Sequence, residues 1–368
     1  MDEIFCIRGI EIMMIGVCGF ASTGSSAVLD YLKEYNSLSV LDNKEYVFTF
    51  YPDGLENLEY HLFEGASKYE SSAVAIERFR RFIYCYFIRT ARNEIESQAI
   101  NDATETFISS ITQAKWDGYG ASDYQLNCGK YYRSAFSMLT YKLMYAHILP
   151  RLKKISDKDY DGILRHPMEF SVAPDNFLEQ AKLYVRRMLE IYGADFTKPI
   201  VLNQPFCGNN PAKGFHFFDE ARAIVVDRDP RDNYLFAKKF LRGRFRQIPS
   251  DNVESFVSYY RHMREGQPYQ FSDSRVLRIQ FEDMVYKYED TTKVINDFCG
   301  LNPSDRVNTY FVPSDSINNT QVFKRFPECH EDVKYIEEHL SEYLYPFELY
   351  GEVNPKGKMF YGRSPLNK

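Results

Sequence analysis

No stretch of this sequence approaches the roughly 18 consecutive apolar residues of a membrane span. The longest apolar run, Ile12 to Ala21, is broken by Gly16 and Gly19 and reads as a strand entering a turn. The first residues carry Asp2, Glu3 and Glu11 and lack a basic leader start, so no secretory signal is expected. Residues 1–12 read as an extension, with Met13 or Met14 as alternative starts. Cysteines are few and scattered, at Cys6, Cys18, Cys85, Cys128, Cys207, Cys299 and Cys329. With no CxxC pair and an odd count, a disulfide framework is excluded and free thiols in a reducing cytoplasm are expected. No HxH, HExxH or paired-cysteine spacing occurs, so no metal is implied. Positive charge is also short: 45 Lys and Arg against 51 Asp and Glu leave a net charge of −6, which argues against a nucleic-acid partner.

Aromatic residues are abundant instead. The 368 residues include 29 Phe and 29 Tyr but one Trp, within an ordinary globular usage of 44% hydrophobic and 26% charged residues. Spare tyrosines suit either a large core or a cleft for a flat or sugar-like ligand, and an A/T-rich genome would enrich the same residues. Short apolar strands alternate with amphipathic helices, the pattern of an α/β sheet with covering helices. Strands are expected at Met14–Cys18, at Leu38–Leu41 or Tyr46–Phe50, at Lys198–Asn203, at Ala221–Val226 and at Val276–Phe281. Helices are expected from Ser25 to Tyr35, from Asn176 to Tyr192 with Asp175 as N-cap and Gly193 past its end, from Thr291 to Cys299, and from Glu331 to Tyr345. Residues 73–192 read as a helical insertion or cap within a single domain spanning 1–368, because no linker-like composition brackets them.

Three segments carry chemistry. Gly19-Phe-Ala-Ser-Thr-Gly24-Ser25-Ser26 follows a strand and opens a helix with GxxxxG spacing. Such a loop turns backbone N–H groups inward, and the helix N-terminus adds partial positive charge for an anion. Ser25, where nucleotide triphosphatases place Lys, and Ser26 add hydroxyl donors. The second segment, Ile224-Val-Val-Asp-Arg228-Asp229-Pro230-Arg231-Asp232, ends a buried strand in charge, where two arginines can grip a phosphate or merely cap a helix. The third, Val276 to Val285 with Glu282 and Asp283, leads into a helix ending at Phe298-Cys-Gly300-Leu301.

Together these segments resemble the sulfotransferase family, in order and placement, over roughly Ile15 to Tyr345. The resemblance implies a P-loop NTPase-like three-layer α/β fold with a mostly parallel central sheet. It implies sulfuryl transfer from PAPS (3′-phosphoadenosine 5′-phosphosulfate) to a hydroxyl, with the flavour of bacterial carbohydrate or polysaccharide sulfation and no metal. By the same resemblance, Gly19, Ser22, Thr23, Gly24, Ser25 and Ser26 hold the 5′-phosphosulfate, and Arg228 with Lys324 and Arg325 of Val322-Phe-Lys-Arg-Phe-Pro327 meet the 3′-phosphate or adenine. Lys44-Glu45-Tyr46-Val47-Phe48 is similar to the family's Lys-Glu segment after its second strand, making Glu45 the general base and Lys44 a contact to the sulfuryl oxygens. Asn203-Gln204-Pro205-Phe206 falls where the family's acceptor pocket lies. His216 is a second base candidate or a packed histidine, and Trp116-Asp-Gly-Tyr119 a sugar-stacking lid or a turn.

Two positions depart from the family pattern. Ser22 stands where many members carry a cation, and Phe236 where they carry a Ser to the 3′-phosphate. Lys44 is a replacement for the first, and Lys238 or Lys239 for the second. The helix holding them also carries Arg242, Arg244 and Arg246, with 238, 242 and 246 on one face, solvated or turned to an anion. Two rival functions stay open: a kinase on the same loop, and a non-catalytic nucleotide- or glycan-binding relative.

Overall fold

The computed structural model describes residues 12–65, 68–118, 166–241, 247–265, 272–354, 356–361 and 364–365. The chain divides into two compact units, one of residues 1–47 with 193–368 and one of residues 48–192.

The first unit is built on a five-stranded, wholly parallel sheet. Its strands are β1 (Met13–Gly19), β2 (Ser39–Leu41), β5 (Ile200–Asn203), β6 (Glu220–Asp227) and β7 (Val276–Gln280), in the order β2-β5-β1-β6-β7. β1 lies in the middle and is buried along Met14, Ile15, Val17 and Cys18, as expected for a strand covered on both faces. Of the alternatives for the second strand, Ser39–Leu41 pairs with β5, whereas 47–50 form turns.

Helix α1 (Ser25–Leu32) returns from β1 and packs Val28, Leu29 and Leu32 on Ile15, Val17, Ile224 and Val226. Helices α8 (Phe281–Tyr286) and α9 (Tyr288–Cys299) complete this layer through Phe281, Met284 and Ile295. α9 stops at Gly300, whose φ of 67° is the left-handed conformation of a glycine helix end. A second core joins α6 (Pro230–Phe240), α7 (Val253–Glu265) and α10 (His330–His339) around Tyr234, Phe256, Val257, Val333 and Ile336. The sequence reading of a basic helix running past Phe240 is corrected: α6 ends there, and Arg242, Arg244 and Arg246 lie outside the described residues. The last helix ends at His339 instead of Tyr345.

The described residues of the second unit are mostly helical. They include α2 (Leu55–Phe63), α3 (Lys68–Ile83) running into a π-helical turn at Tyr84–Ile88, α4 (Glu94–Ile111) and α5 (Phe177–Ile191). β3 (Ala114–Gly118) and β4 (His166–Phe170), which fall between α4 and α5 in chain order, pair antiparallel. Phe79, Phe107 and Tyr184 fill the unit's centre, Phe107 and Tyr184 stacked at 5.0 Å. Asn176 occupies the cap position of α5, not Asp175, and no side chain accepts there. Gly193 does follow the helix, at φ 87°. Trp116 lies exposed on β3, and Tyr119 falls outside the described residues.

Candidate functional site

Parallel register brings the chemistry to one edge. Gly19 pairs with Val226, Asp227 with Gln280, and Val17 with Asn203, so the carboxyl ends of β1, β5, β6 and β7 lie side by side. Open α/β sheets bind ligands at such an edge. The Gly19–Ser26 loop, Gln204, Arg228 and Glu282 all start there.

The loop is held open from within. The Thr23 hydroxyl accepts from the Phe20 N–H at 3.1 Å and donates to the Phe20 carbonyl at 2.9 Å. Thr23 is buried, and both of these bonds stay within the loop. Ser22 and Gly24 take left-handed backbone, at φ 63° and 87°. The Ala21 carbonyl accepts from Asn233 at 2.9 Å and the Ser22 carbonyl from Arg228 at 2.9 Å. With those carbonyls bound towards α6, the first-turn N–H groups at Ser25 and Ser26 open α1 without helical acceptors, the feature an anion uses.

Gly24 is required twice over. A Cβ there would come within 2.5 Å of the Phe281 ring, and its φ is one that side chains strain to adopt. Gly24→Val is therefore expected to destabilise the fold as well as the anion loop. Overpacking costs about 1–3 kcal/mol and the left-handed backbone about 1–2 kcal/mol more. Urea denaturation should show the loss, and an unchanged midpoint would mean that Phe281 moves aside freely.

Arg228 lies under the loop, 4% exposed. Its Nη1 donates to the Ser22 carbonyl and its Nη2 to the Asn319 carbonyl. The guanidinium sits 5.1 Å from the Phe236 ring centre and 5.3 Å from that of Phe281. Phe236 thus forms one wall of the arginine site. Arg228 Nε is buried without a hydrogen-bond partner. Arg231 takes a structural part, bonding Asp229 through two nitrogens and stacking 4.3 Å from the Phe323 ring centre.

Three carboxylates crowd the same place. Asp229 caps α6 by accepting from the Arg231 N–H, and Glu282 accepts from the Asp229 N–H at 3.0 Å. Asp232 accepts from the Phe323 N–H at 3.1 Å. Burial, then the charges of Asp229 and Asp232, push the Glu282 carboxyl well above the carboxylate range. Burial, then Asp229, push Asp232 up to about 7, with Arg228 opposing. A carboxyl raised on folding binds a proton that the unfolded chain has lost. Its share of stability is therefore present below the ordinary Asp value of about 4 and declines as pH rises through about 7. Asp232→Asn, which keeps the acceptor for Phe323, is expected to flatten that decline. Parallel slopes of unfolding free energy against pH 4–8 in both proteins would count against it.

The segment after Ile317 closes over this cluster. Arg325 donates to the carbonyls of Asn318 at 2.8 Å and Gly357 at 2.8 Å, and burial pulls its guanidinium below the ordinary value. Lys324 is half-exposed, 3.7 Å from Glu352. Arg228 and Arg325 thus donate to the carbonyls of two adjacent residues, Asn319 and Asn318. Lys238 pairs with Asp332 at 2.5 Å and Lys239 with Glu328 at 2.6 Å. Both candidates for the missing serine's role therefore already have a carboxylate partner, as Lys324 does.

Glu45 reaches the same edge by a short route. The Tyr46 N–H donates to the Asn203 carbonyl at 2.8 Å, extending the β2–β5 pairing past Leu41. β2 lies two strand spacings from β1, about 10 Å. Glu45 keeps solvent-exposed surface, yet neighbouring atoms desolvate its carboxylate and raise it above the ordinary value. Lys44 adjoins it, partly buried. His216 is not brought to this edge. It is exposed in the 3-10 turn Pro211–Phe217, ahead of the first residue of β6, while the loop lies past the last. Sequence reasoning treated Gln204 only as part of an acceptor pocket; in the structure its side chain lies inside the loop. Asn319, which presents a backbone carbonyl to Arg228, left no signal in its residue type.

A cavity of about 860 Å³ opens elsewhere, between α4 and α5 of the second unit, lined among others by Ile95, Asp102, Leu183 and Arg187. None of the site residues above borders it.

Residues 213–305 match a family model described as the sulfotransferase family. The matched segment holds β6, Arg228–Asp232, β7 and Glu282–Asp283; the Gly19–Ser26 loop lies before it. Among solved structures, the sulfotransferase domain from the Synechococcus PCC 7002 olefin synthase aligns over 95% of this chain and 86% of its own, at 12% identity and a TM-score of 0.35. The sulfotransferase domain from the curacin biosynthetic pathway aligns over 92% of this chain and 100% of its own, at 12% identity and a TM-score of 0.33. No curated protein matches.

Proposed function

We propose that this chain, with its sulfotransferase-type segment at 213–305, transfers a sulfuryl group from PAPS to a hydroxyl, of a carbohydrate. The observation that carries the reading is the bond from Arg228 of that segment to the Ser22 carbonyl, which couples the family-matched strand end to the anion loop. The first-turn amides and the hydroxyls of Ser25 and Ser26 bind the 5′-phosphosulfate. Donors fixed before reaction stabilise charge that develops on the leaving phosphate without reorganising. Arg228, Lys324 and Arg325 neutralise the 3′-phosphate on the far side of the loop. Glu45 takes the acceptor proton, and Lys44 meets the sulfuryl oxygens where Ser22 supplies no charge.

Thermal shift tests this cheaply. Adenosine 3′,5′-bisphosphate is expected to raise the melting temperature, because a ligand at 100 times its Kd adds about 2.7 kcal/mol. Stabilisation by ATP with magnesium alone would favour phosphoryl transfer instead. Bisphosphate binding without turnover on any glycan would favour a binding protein, a reading that Ser22 and the stacking of Phe236 on Arg228 support.

A further inference from the structure

Gln204 holds the anion loop from the neighbouring strand. It follows the last residue of β5 in a left-handed conformation, φ 53°, and its N–H is bound to the Val17 carbonyl at 2.9 Å. Its side chain turns into the loop. Oε1 accepts from the Gly19 N–H at 3.2 Å, and Nε2 donates to Ser25 Oγ at 3.2 Å. The orientation of the carboxamide follows from chemistry, since a backbone N–H can only donate and so must face Oε1. The backbone behind Gln204 is pinned as well. Gly208 lies so close that a Cβ would come within 2.8 Å of the Gly19 carbonyl, and Arg278 on β7 donates to the Gly208 carbonyl at 3.0 Å. A side chain on such anchored backbone reaches the loop at little entropic cost.

Two consequences follow for a bound anion. A hydroxyl has one hydrogen. Ser25 Oγ, accepting from Nε2, turns its own hydrogen away from Gln204. The amide group also keeps a second N–H beyond the one given to Ser25. We propose that Gln204 is a donor-positioning residue: it sets the Ser25 hydroxyl as a donor and offers its second N–H to the phosphosulfate, a neutral substitute for the cation absent at Ser22. This rests on the reading of the loop as the PAPS site.

The test uses the full chain and calorimetric titration with adenosine 3′,5′-bisphosphate, for wild type and Gln204→Ala, Gln204→Asn and Gln204→Glu at pH 8 and pH 5. Asn tolerates left-handed backbone but is one methylene too short, so it keeps the test valid if Ala perturbs the fold. Ala and Asn are expected to lower affinity about 10-fold, the effect of two ordinary hydrogen bonds. Glu is expected to bind worse than Ala at pH 8, where its charge opposes the anion. That deficit, taken relative to wild type, should shrink at pH 5 as Glu takes up a proton. A purely structural role would give a Glu deficit equal to that of Ala and independent of pH, and would overturn the proposal. So would affinities within twofold of wild type in all three variants. Failure of the wild type to bind the bisphosphate would sink the reading of the loop, and this proposal with it; wild-type binding with unaffected variants would sink this proposal alone.

Discussion

Glu45→Gln is expected to lower turnover at least ~10²-fold while leaving bisphosphate affinity within about threefold. Glu45 precedes the residue whose N–H extends β2 onto Asn203, so its backbone is fixed beside the strand that carries Gln204. Gln keeps the size and removes only the capacity to take a proton. The nucleotide contacts assigned here come from the loop and Arg228, so affinity should survive. The raised carboxyl gives a second signature. A base acts in its ionised form, so kcat/KM should rise with pH through a value above that of ordinary glutamate and then level off. The Gln variant should lose that acidic limb along with its rate. Normal turnover in the variant would place the base elsewhere. His216 would then have to act from the opposite end of β6, which the fold makes a poor alternative.

Arg228→Ala is expected to cost about 3–5 kcal/mol of stability, read as a shifted urea midpoint. The arginine is buried and bonded to two backbone carbonyls, Ser22 and Asn319, which would be left without its donors. It also offsets the charge of Asp232 and Glu282. Arg228→Lys should recover little, because one ammonium cannot span both carbonyls as a planar fork does. A ligand comparison separates support from binding. If the guanidinium also meets the 3′-phosphate, the variant should lose about 10- to 100-fold more affinity for adenosine 3′,5′-bisphosphate than for adenosine 5′-monophosphate. Equal losses would leave Arg228 as the strut of the loop alone.

Much of this was legible in the residues. The β1 strand, the GxxxxG turn and α1 follow from an apolar run, two glycines and a serine pair that are adjacent in the chain. The α/β alternation and the ends at Gly193 and Gly300 follow from equally local rules. Local chemistry could not tell which half of 38–50 was the strand, because both halves are apolar; pairing with β5 decided for Ser39–Leu41. It could not show that Lys238 and Lys239 were already matched, since Asp332 and Glu328 lie about 90 residues on. It likewise read Gly24 as a phosphate contact and missed Phe281, which packs on it from the end of another strand.

The sequence by itself therefore determined the elements and the residue types of an anion loop, because strand, turn and helix preferences act over a few neighbouring residues. Only the tertiary structure decided which groups share a site. Parallel pairing of β1 with β5 and β6 laid Gln204 and Arg228 against a loop about 200 residues earlier, and burial raised the carboxyls of Asp232 and Glu282 beside an arginine that opposes the rise. Contact and desolvation depend on distance through space, which residue spacing along the chain does not encode.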